Sequence, residues 1–477
     1  MDALWSIVPD IAIPVGFTLL HAYLWLRLCR DSTRPGSRWR PAGAVVLGVL
    51  GATGMLAWFL TPSTYAPMWL QQQVGWPGWI WFGVLMYLGG ILVLAEPLRW
   101  FLLRRKEGGA SSSESESESE SESESESESE SESESGSGSG SDREPEPVAV
   151  AEPEPELEPE VKPEPEAKPE PEAELGPKPE PSSDRRDAAS PGNAMSHSTG
   201  LTRRVVVSRA IGIGAAAAAL GTVGHGLYEG YRTPRLKPVT VPLARLDRAF
   251  DGYRIAIVGD THFSAIRGRG YCERVVDRIN GTQPDLIAFV GDLASNEADQ
   301  LRRETEPLSR LSASEGAFFV AGNAEHYVGA DAWYDRVAEL GMTGLPNRRV
   351  ELPGFDLAGV NDLIVEQRGM QDTEIGPDFE AALGDRDPAR PVVLLAHQPS
   401  AVERIAGYGV DLQLSGHTHG GQIWPVHYLS RLRSGQLAGL ETHGDTQVYV
   451  TSGAGTNGPP IRVGADADIT VMTLRAA

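Results

Sequence analysis

Two uncharged apolar stretches near the N-terminus constrain the fold of this chain more than any other feature. Ala42 to Leu60 and Trp79 to Ala95 contain no charged residue, and the earlier stretch Ile11 to Leu28 contains only one. A helix needs about 20 mainly apolar residues to cross a bilayer. Helices buried in a soluble core are the alternative, which three such stretches in succession disfavour. Residues 1–106 are therefore predicted to be a membrane region with three transmembrane helices.

Basic residues in the loops predict how these helices are oriented. Four arginines lie between the first and second stretches, and Arg104, Arg105 and Lys106 follow the third, whereas Thr61 to Pro77 carries no charge. Because loops rich in lysine and arginine stay in the cytoplasm, the two basic loops are predicted to be cytoplasmic. The N-terminus is then expected outside the cell membrane.

The acidic net charge of the chain comes from one low-complexity segment. Glu107 to Asp184 contains 27 acidic and 4 basic residues, which gives the same net charge of −23 as the whole chain. The remainder is electrically balanced and offers no basic face for nucleic acid, so no nucleic-acid partner is expected. The Ser-Glu, Gly-Ser and Glu-Pro repeats cannot bury enough apolar surface to offset the entropy of ordering. Residues 107–201 are predicted to form a disordered, solvated linker.

A fourth apolar stretch, Ala210 to Tyr228, follows a cluster of three arginines. Two interpretations of residues 202–236 stay open: a fourth transmembrane helix with a basic flank, or a signal anchor resembling a twin-arginine export signal. Both place the residues after Tyr228 outside the cytoplasm, because the preceding segment is inside and the stretch crosses once. The expected localisation is therefore a multi-pass cell-membrane protein with an extracytoplasmic catalytic domain.

From about Leu243 onward, short β-rich runs alternate with helical ones. This alternation predicts a layered α/β domain over residues 239–477, which is long enough for its own core. The predicted strands are Tyr253–Gly259, Leu286–Gly291, Ala317–Ala321, Phe355–Val360, Val392–Ala396, Asp411–Leu414, Val448–Ser452 and Asp468–Leu474. The predicted helices are Gly270–Asn280, Ala298–Leu311, Asp331–Leu340 and Ser400–Ala406.

Polar residues follow five of the predicted strands at the point where each strand ends. In open α/β sheets ligands bind at the carboxyl ends of the strands, so these side chains are expected at one rim. Carboxylate, amide oxygen and imidazole suit Mn, Fe or Zn. With only two cysteines, a disulfide framework or a cysteine-based structural zinc site is excluded. The candidate metal ligands are Asp260, His262, Asp292, Asn323, His397, His417 and His419.

The spacing of these residues supports a metal site. Asp260 and His262 are two residues apart, as are His417 and His419. Side chains at this spacing on an extended backbone point the same way, so each pair can bind one ion or two adjacent ions. Glycines beside them let the backbone approach the site without a Cβ clash. A single histidine would be interpreted as an ordinary surface or core residue. That interpretation does not explain why seven such residues follow the ends of five predicted strands.

The order Asp-x-His, Gly-Asp, Gly-Asn, His and Gly-His-x-His resembles the signature of the calcineurin-like metallophosphoesterases. Residues 416–423 and 455–462 are similar to the membrane-anchored bacterial branch of that family, and the resemblance covers Val239 to Leu474. It implies a β-sandwich flanked by helices. It also implies two metal ions and hydrolysis of phosphoester or phosphoanhydride bonds by metal-activated water.

The resemblance further implies a role for each candidate ligand. Asp260, His262 and His419 would hold one ion. Asn323, His397 and His417 would hold the other. Asp292 would bridge the two ions and so take part directly in catalysis.

One position departs from the family pattern. Members usually read Gly-Asn-His followed by an acidic residue, and that histidine protonates the leaving group; this chain has Ala324 there. His326, two residues later, is expected either to replace the missing acid or to be a surface histidine. Losing a general acid costs about 10²–10⁴ in rate, and less when the leaving group is a weak base. Phosphoanhydrides and aryl phosphates are therefore expected to be better substrates than alkyl esters.

Three functional hypotheses follow. The leading one is a membrane-anchored phosphohydrolase acting on a phosphorylated small molecule or a lipid-linked envelope substrate. The second is a catalytically weakened domain that binds phosphorylated ligands as a sensor or scaffold, for which Ala324 is the support. The third places the same enzyme in the cytoplasm. Asp362 and Arg462 are further candidates for contact with phosphate or for a structural role.

Overall fold

The computed structural model describes residues 14–61, 65–104 and 202–477, apart from four side chains between residues 429 and 434. The predicted linker over residues 107–201 lies outside the described residues. The described residues belong to one compact unit that contains both the apolar helices and the α/β domain.

Before the α/β domain, the described part of the chain forms five helices, most of them apolar. Helix α1 covers residues 14–24 and continues as a π-helical segment, Trp25–Arg30. It is followed by α2 (Trp39–Leu60), α3 (Met68–Leu94), α4 (Glu96–Arg104) and α5 (Arg203–Tyr231). By length and composition, α2, α3 and α5 are able to cross a membrane. Helices α2 and α5 contain the second and fourth stretches identified in the sequence, and α3 contains the third up to Leu94. The first predicted stretch is described only from residue 14 onward.

Helix α3 begins well before the stretch that predicted it. It starts at Met68, after Pro67, and continues through Pro77 to Leu94. Its early turns contain three consecutive glutamines and an internal proline, which obscure a membrane-spanning pattern in the sequence. Several of these early residues face the α/β domain.

Twelve strands and the helices between them build the C-terminal domain. The strands are β1 (Arg235–Leu243), β2 (Arg254–Val258), β3 (Leu286–Val290), β4 (Ala317–Val320), β5 (Thr343–Gly344), β6 (Arg348–Glu351), β7 (Asp356–Gly359), β8 (Val392–Leu395), β9 (Leu412–Ser415), β10 (Gly439–His443), β11 (Thr446–Val450) and β12 (Asp468–Ala476). The helices are α6 (Arg269–Asn280), α7 (Arg302–Thr305), α8 (Asn323–Val328), α9 (Ala330–Glu339), α10 (Ile364–Gln367), α11 (Phe379–Leu383) and α12 (His427–Ser434).

These strands form two six-stranded sheets. The first has the order β1-β12-β2-β3-β4-β5 and the second β10-β11-β9-β8-β7-β6. The central strands β2, β3 and β4 run parallel, as do β7, β8 and β9. The strands that carry the candidate ligands therefore end at the same edge within each sheet.

The two sheets pack face to face. Successive side chains of a strand point to opposite faces, and accordingly Ile255 and Ile257 enter the core between the sheets whereas Ala256 and Val258 face the helices α6 and α9. A third cluster packs α11 on the outer face of the second sheet. The domain is thus an α/β sandwich flanked by helices, which confirms the predicted fold class.

Some elements differ from the sequence-based expectation. Strand β1 starts at Arg235, so the predicted domain start at residue 239 lies inside it. Its two prolines hide its strand pattern, and they are tolerated because β1 lies at an edge. The predicted helix Ala298–Leu311 was wrong in extent: only α7 and a 3₁₀ segment, Glu306–Arg310, form there, since Pro307 lacks an N–H donor. The predicted helix Ser400–Ala406 is a 3₁₀ segment, Pro399–Arg404.

The apolar helices pack directly on the domain. Ile461 is fully buried in the same cluster as side chains of α3 and α5. The Tyr87 hydroxyl of α3 donates to the carbonyl of Trp424 at 2.6 Å. The main-chain N–H of Arg462 donates to the carbonyl of Gly226 in α5 at 2.9 Å. Helix α3 thereby contacts a loop five residues after His419, and α5 contacts the segment of Arg462, whose guanidinium donates to the carbonyl of His419.

Candidate metal centre

All seven predicted ligands lie at the carboxyl ends of strands. Asp260 and His262 follow β2, Asp292 follows β3, and Asn323 begins α8 after β4. In the second sheet, His397 follows β8, and His417 and His419 follow β9. Because the two sheets pack face to face, these ends meet at one end of the sandwich, and the hydrogen bonds below connect the seven side chains into one cluster.

Four of these residues form a tight, buried group. The donor atoms of Asp260, His262, Asp292 and His419 all lie within 4.8 Å of one another. The Nε2 atoms of His262 and His419 are 3.1 Å apart, and the two rings are stacked with centroids 5.0 Å apart. His419 Nε2 is also 3.5 Å from Asp260 Oδ1. This geometry can enclose one cation.

The other three residues form a second group. Asn323 Oδ1 lies 2.8 Å from His417 Nδ1 and 3.2 Å from His397 Nε2. The two histidine nitrogens are themselves 3.3 Å apart. One amide oxygen and two ring nitrogens thus face a common point.

Asp292 lies between the two groups. Its Oδ2 atom is 3.4 Å from His262 Nε2, and its Oδ1 atom is 3.3 Å from His397 Nε2. Each carboxylate oxygen therefore faces a different group, which is the arrangement that a bridging ligand requires.

Burial dominates the electrostatics of the cluster. It raises the pKa of the Asp260 carboxyl to about 7 and lowers the pKa of His262 to about 4. Burial likewise lowers the pKa of His419 well below its ordinary value. At His397 burial acts the same way, but the Asp292 carboxylate outweighs it and raises the pKa. Although burial opposes its charge, Asp292 keeps a pKa below its ordinary value because His397 is adjacent.

Several features show that these residues fit metal ions. Asp260 Oδ2 and His419 Nδ1 are buried without a hydrogen-bond partner among the described residues. Pairs of ring nitrogens face each other at 3.1 and 3.3 Å, where lone pairs would repel unless a proton or cation lies between them. A cation would favour the charged form of Asp260 that burial disfavours. The donor set of oxygens and imidazoles suits Mn, Fe or Zn.

The backbone at the centre is strained. Non-glycine residues with positive φ are uncommon, and they cluster at functional sites where the surrounding structure holds them in place. Five of the seven predicted ligands have φ between 44° and 73°. They are Asp260, His262, Asp292, His417 and His419.

Two glycines leave room for the carboxylates. A Cβ atom on Gly416 would lie 2.5 Å from Asp260 Oδ2, and one on Gly322 would collide with the Asp292 carboxylate. The glycines before the ligands are therefore required for close approach, as the sequence pattern predicted.

Glu325 holds the loop that carries Asp292, a role that the sequence analysis missed. Its buried carboxylate accepts N–H groups from Asp292 at 3.0 Å, from Ala294 at 2.9 Å and from Gly322 at 2.8 Å. The bond to Gly322 is half of a capping box at the start of α8. The spacing of a glycine N-cap followed by glutamate three residues later was the available signal.

Other polar groups orient the histidine rings. His397 Nδ1 lies 2.8 Å from the carbonyl oxygen of Val290, which leaves Nε2 directed at Asn323 and Asp292. His262 Nδ1 lies 3.0 Å from the hydroxyl of Ser295. Such partners fix the ring orientation of metal-binding histidines. No short motif in the sequence singles out Ser295.

Arg462 is fully buried and stabilises the loops around His419. Its guanidinium donates to the carbonyls of His419 at 3.2 Å, Gly455 at 2.8 Å and Ser452 at 2.8 Å. Burial lowers its pKa to about 10, so the group is still charged at neutral pH. Of the two roles left open for Arg462, these contacts support the structural one.

His326 is not a surface residue, contrary to one of the two expectations. It is 1% exposed. Its Nδ1 atom lies 2.8 Å from Glu374 Oε2, and its Nε2 atom accepts the main-chain N–H of Asp362 at 3.4 Å. Among the described residues, its ring makes no hydrogen bond to any of the seven predicted ligands. Its role as a substitute acid stays a prediction.

Asp362 lies beside this histidine. Its Oδ1 atom accepts the side-chain amide of Gln398 at 2.7 Å, and its buried Oδ2 atom has no hydrogen-bond partner among the described residues. Burial raises the pKa of this carboxyl. Through Gln398, Asp362 is connected to the segment that carries His397.

Comparison with known proteins identifies similar sequences. A family model described as calcineurin-like phosphoesterase matches residues 253–421, a range that includes all seven predicted ligands. An uncharacterized metallophosphoesterase of Helicobacter pylori strain J99 is 34% identical over 275 residues, which cover 57% of this chain and 72% of that protein. A transmembrane protein with metallophosphoesterase domain from Danio rerio is 31% identical over 264 residues, covering 53% of this chain and 60% of that protein.

A solved structure shows a more distant likeness. The dimetal phosphatase from Danio rerio is 12% identical, with a TM-score of 0.29, over 43% of this chain and 88% of that one.

Proposed function

The chain belongs to the calcineurin-like metallophosphoesterase family, and on that premise we propose that it is a membrane-anchored, dinuclear-metal phosphohydrolase. As a member of this family it is a metal-dependent phosphoesterase. Beyond this family chemistry, we infer the number of ions, the residues that hold them and the place where the enzyme acts.

The position of Asp292 between two groups of donors carries the proposal. Asp260, His262 and His419 would hold one ion, and Asn323, His397 and His417 the other. The two oxygens of Asp292 face Nε2 of His262 at 3.4 Å and of His397 at 3.3 Å. This arrangement supports a shared ligand more directly than two separate sites.

Bound ions would activate water as a nucleophile and neutralise charge that develops on the phosphoryl oxygens. The protein residues orient this chemistry. The main-chain N–H of Ala324 donates to Asp292 Oδ1 at 2.8 Å, and that of His417 donates to Asp260 Oδ1 at 2.9 Å. These bonds keep both carboxylates directed into the centre while their other oxygens remain available.

The residue at position 324 indicates which leaving groups the enzyme favours. Ala324 cannot protonate a leaving group, and the ring of His326 is engaged by Glu374 and Asp362. Substrates whose leaving groups are weak bases need this proton least. We therefore favour phosphoanhydrides and aryl phosphates over simple alkyl phosphates.

The apolar helices indicate that the enzyme acts at a membrane. Residues 1–106 and 202–236 would anchor residues 239–477, with residues 107–201 as a linker, and the basic loops favour an extracytoplasmic catalytic domain. A lipid-linked or envelope phosphate is then the substrate class that fits this location. Mn, Fe and Zn are the candidate ions.

A hydrolysis assay on the full chain in detergent tests the proposal. We expect metal-dependent turnover of p-nitrophenyl phosphate or bis-p-nitrophenyl phosphate after loading with Mn, Fe or Zn. Replacing His397 with alanine removes a predicted ligand, so activity is expected to fall by more than the roughly 100-fold typical of residues that only support a ligand. Retained ions without turnover of either compound would instead favour a phosphate-binding sensor or scaffold.

A further inference from the structure

A cavity of about 710 Å³ lies between the apolar helices and the α/β domain. It is bounded by early turns of α3, the last residue of α5, the segment after His262 and the first turns of α6. None of the seven predicted ligands lines it. Its volume is within the range of about 300–1,000 Å³ that is typical of small-molecule sites. The cavity is therefore a separate candidate binding site.

Two arginines contribute to the cavity wall. Arg269 and Arg274 line it, and none of the described lining residues is an aspartate or a glutamate. Arg269 pairs with Glu273 at 3.0 Å, and both side chains are about half exposed. Arg274 donates to the main-chain carbonyls of Gly270 at 2.9 Å and Tyr231 at 3.2 Å.

A third arginine lies behind the aromatic wall. Arg267 is 2% exposed, and its guanidinium lies 5.0 Å from the ring centre of Tyr231 and 5.5 Å from that of Tyr271, both of which line the cavity. Its hydrogen bonds go to main-chain carbonyls, and its Nε atom is buried without a partner in the described part of the chain. A buried charge without a carboxylate is costly, so an anion in the cavity would offset it.

The position of the cavity indicates that its ligand also has an apolar part. The candidate membrane spans α3 and α5 begin and end here, so the cavity would lie where these two helices leave a bilayer. Trp76 of α3 stacks on Tyr231 of α5 with ring centres 4.8 Å apart, and Ile266 faces the same space. Aromatic rings of this kind are enriched at membrane–water interfaces.

We propose that this cavity binds the headgroup of an anionic phospholipid. The phosphate lies at Arg269 and Arg274, and the acyl chains run past Trp76 along α3 into the bilayer. Where a membrane surface contains anionic lipids, each arginine near it contributes about 1 kcal/mol of attraction. The site is independent of the proposed hydrolysis, since it requires no metal and no turnover.

The bound lipid would also contact the segment that leads to the metal centre. The side-chain amide of Gln72 donates to the carbonyl of Ala265 at 2.9 Å, and both residues line the cavity. Ala265 follows His262 by three residues, a chain length that spans at most about 10 Å.

Native mass spectrometry of the full chain in detergent tests the proposal. Dioleoyl phosphatidylglycerol, dioleoyl phosphatidylcholine and inorganic phosphate are titrated separately. We expect phosphatidylglycerol to bind most tightly, because the cavity favours both an anion and acyl chains. The double variant Arg269→Gln/Arg274→Gln removes both arginines. It should bind phosphatidylglycerol about 25-fold more weakly, because about 1 kcal/mol for each arginine corresponds to roughly fivefold in affinity.

Two further variants make the test specific. Arg278→Gln, which alters an exposed arginine on α6 outside the cavity, should leave phosphatidylglycerol binding unchanged. Trp76→Leu should weaken phosphatidylglycerol binding without a change in charge. Equal affinity in wild type and the double variant, an equal loss in Arg278→Gln, or inorganic phosphate binding as tightly as the lipid would each overturn the proposal.

Discussion

Asp292 connects the two groups of candidate ligands, and its position depends on residues around it. The main-chain N–H of Asp292 donates to the Glu325 carboxylate, and Asp292 Oδ1 accepts the main-chain N–H of Ala324. Its backbone lies at a φ of 51°, which a non-glycine residue adopts only when its surroundings enforce it. Ala324 through its main-chain N–H and Glu325 through its carboxylate therefore support the centre, although neither is a predicted ligand.

The first prediction concerns Ala324→His. Ala324 is half-buried at the start of α8, next to Asn323 and bonded to Asp292. A histidine here would supply the proton donor that position 324 lacks. We expect kcat for an alkyl phosphate to rise by about 10² or more, and kcat for p-nitrophenyl phosphate to rise less, because its leaving group needs no proton.

Steady-state kinetics on both substrates measure this difference. Ala324→Gln controls for side-chain size without adding a group that titrates near neutral pH. Unchanged turnover of the alkyl phosphate in Ala324→His, or an equal gain in Ala324→Gln, would show that a missing acid does not limit the reaction.

At the scale of residues, much of the centre could be predicted from the sequence. Each ligand lies at or just after the end of a strand, often beside glycine, and that local pattern is visible in the sequence. The support from Glu325 and Ser295 could not be predicted as readily, because their partners become neighbours only when the strands are placed side by side. The contacts of His326 likewise depend on Glu374, which is 48 positions away.

Helix α5 is both a candidate membrane span and part of the support of the domain. The carbonyl of Gly226 accepts the N–H of Arg462 at 2.9 Å, and that of Gly230 accepts the guanidinium of Arg267 at 2.9 Å. Arg462 in turn donates to the carbonyl of His419. The end of α5 is thus connected to a predicted metal ligand through two successive contacts.

The second prediction concerns the small residues of α5. A Cβ atom on Gly230 would lie 2.6 Å from the carbonyl oxygen of Pro460, whereas one on Gly224 would meet nothing within 4 Å. We expect Gly230→Ala to destabilise the full chain by about 1–3 kcal/mol, the usual cost of overpacking. Gly224→Ala on the same helix should be neutral or slightly stabilising.

Thermal unfolding and bound-metal content, measured in one detergent, compare the two variants. Gly230→Ala should have a lower unfolding temperature and a lower bound-metal content than Gly224→Ala. Identical behaviour of the two variants would argue that α5 does not support the loop around Arg462.

At the scale of elements, the sequence predicted α5 as an apolar helix but not its contacts. An alanine- and glycine-rich stretch is compatible with lipid on every side. The face that packs on residues 460–463 is identified only by the structure, since those residues lie more than 200 positions away. The polar first turns of α3 were missed for the same reason, because they face the domain rather than lipid.

In the whole molecule, the apolar helices and the sandwich form one structural unit rather than an anchor and an independent enzyme. Ile461 is buried among side chains of α3 and α5. A fragment restricted to residues 239–477 would expose this surface and remove the acceptors at Gly226 and Gly230. Measurements on the centre therefore require the full chain.

We propose that the ends of five strands hold a pair of metal ions bridged by Asp292. Elemental analysis of the full chain, purified in detergent and loaded with Mn, Fe or Zn, counts these ions. We predict two ions per chain for the wild type, fewer than one for Asp292→Asn, and two for Asp299→Asn, which alters a carboxylate that is 93% exposed. A wild-type chain that retains no ions, or an Asp292→Asn variant that retains two, would show that Asp292 does not bridge a pair of ions here.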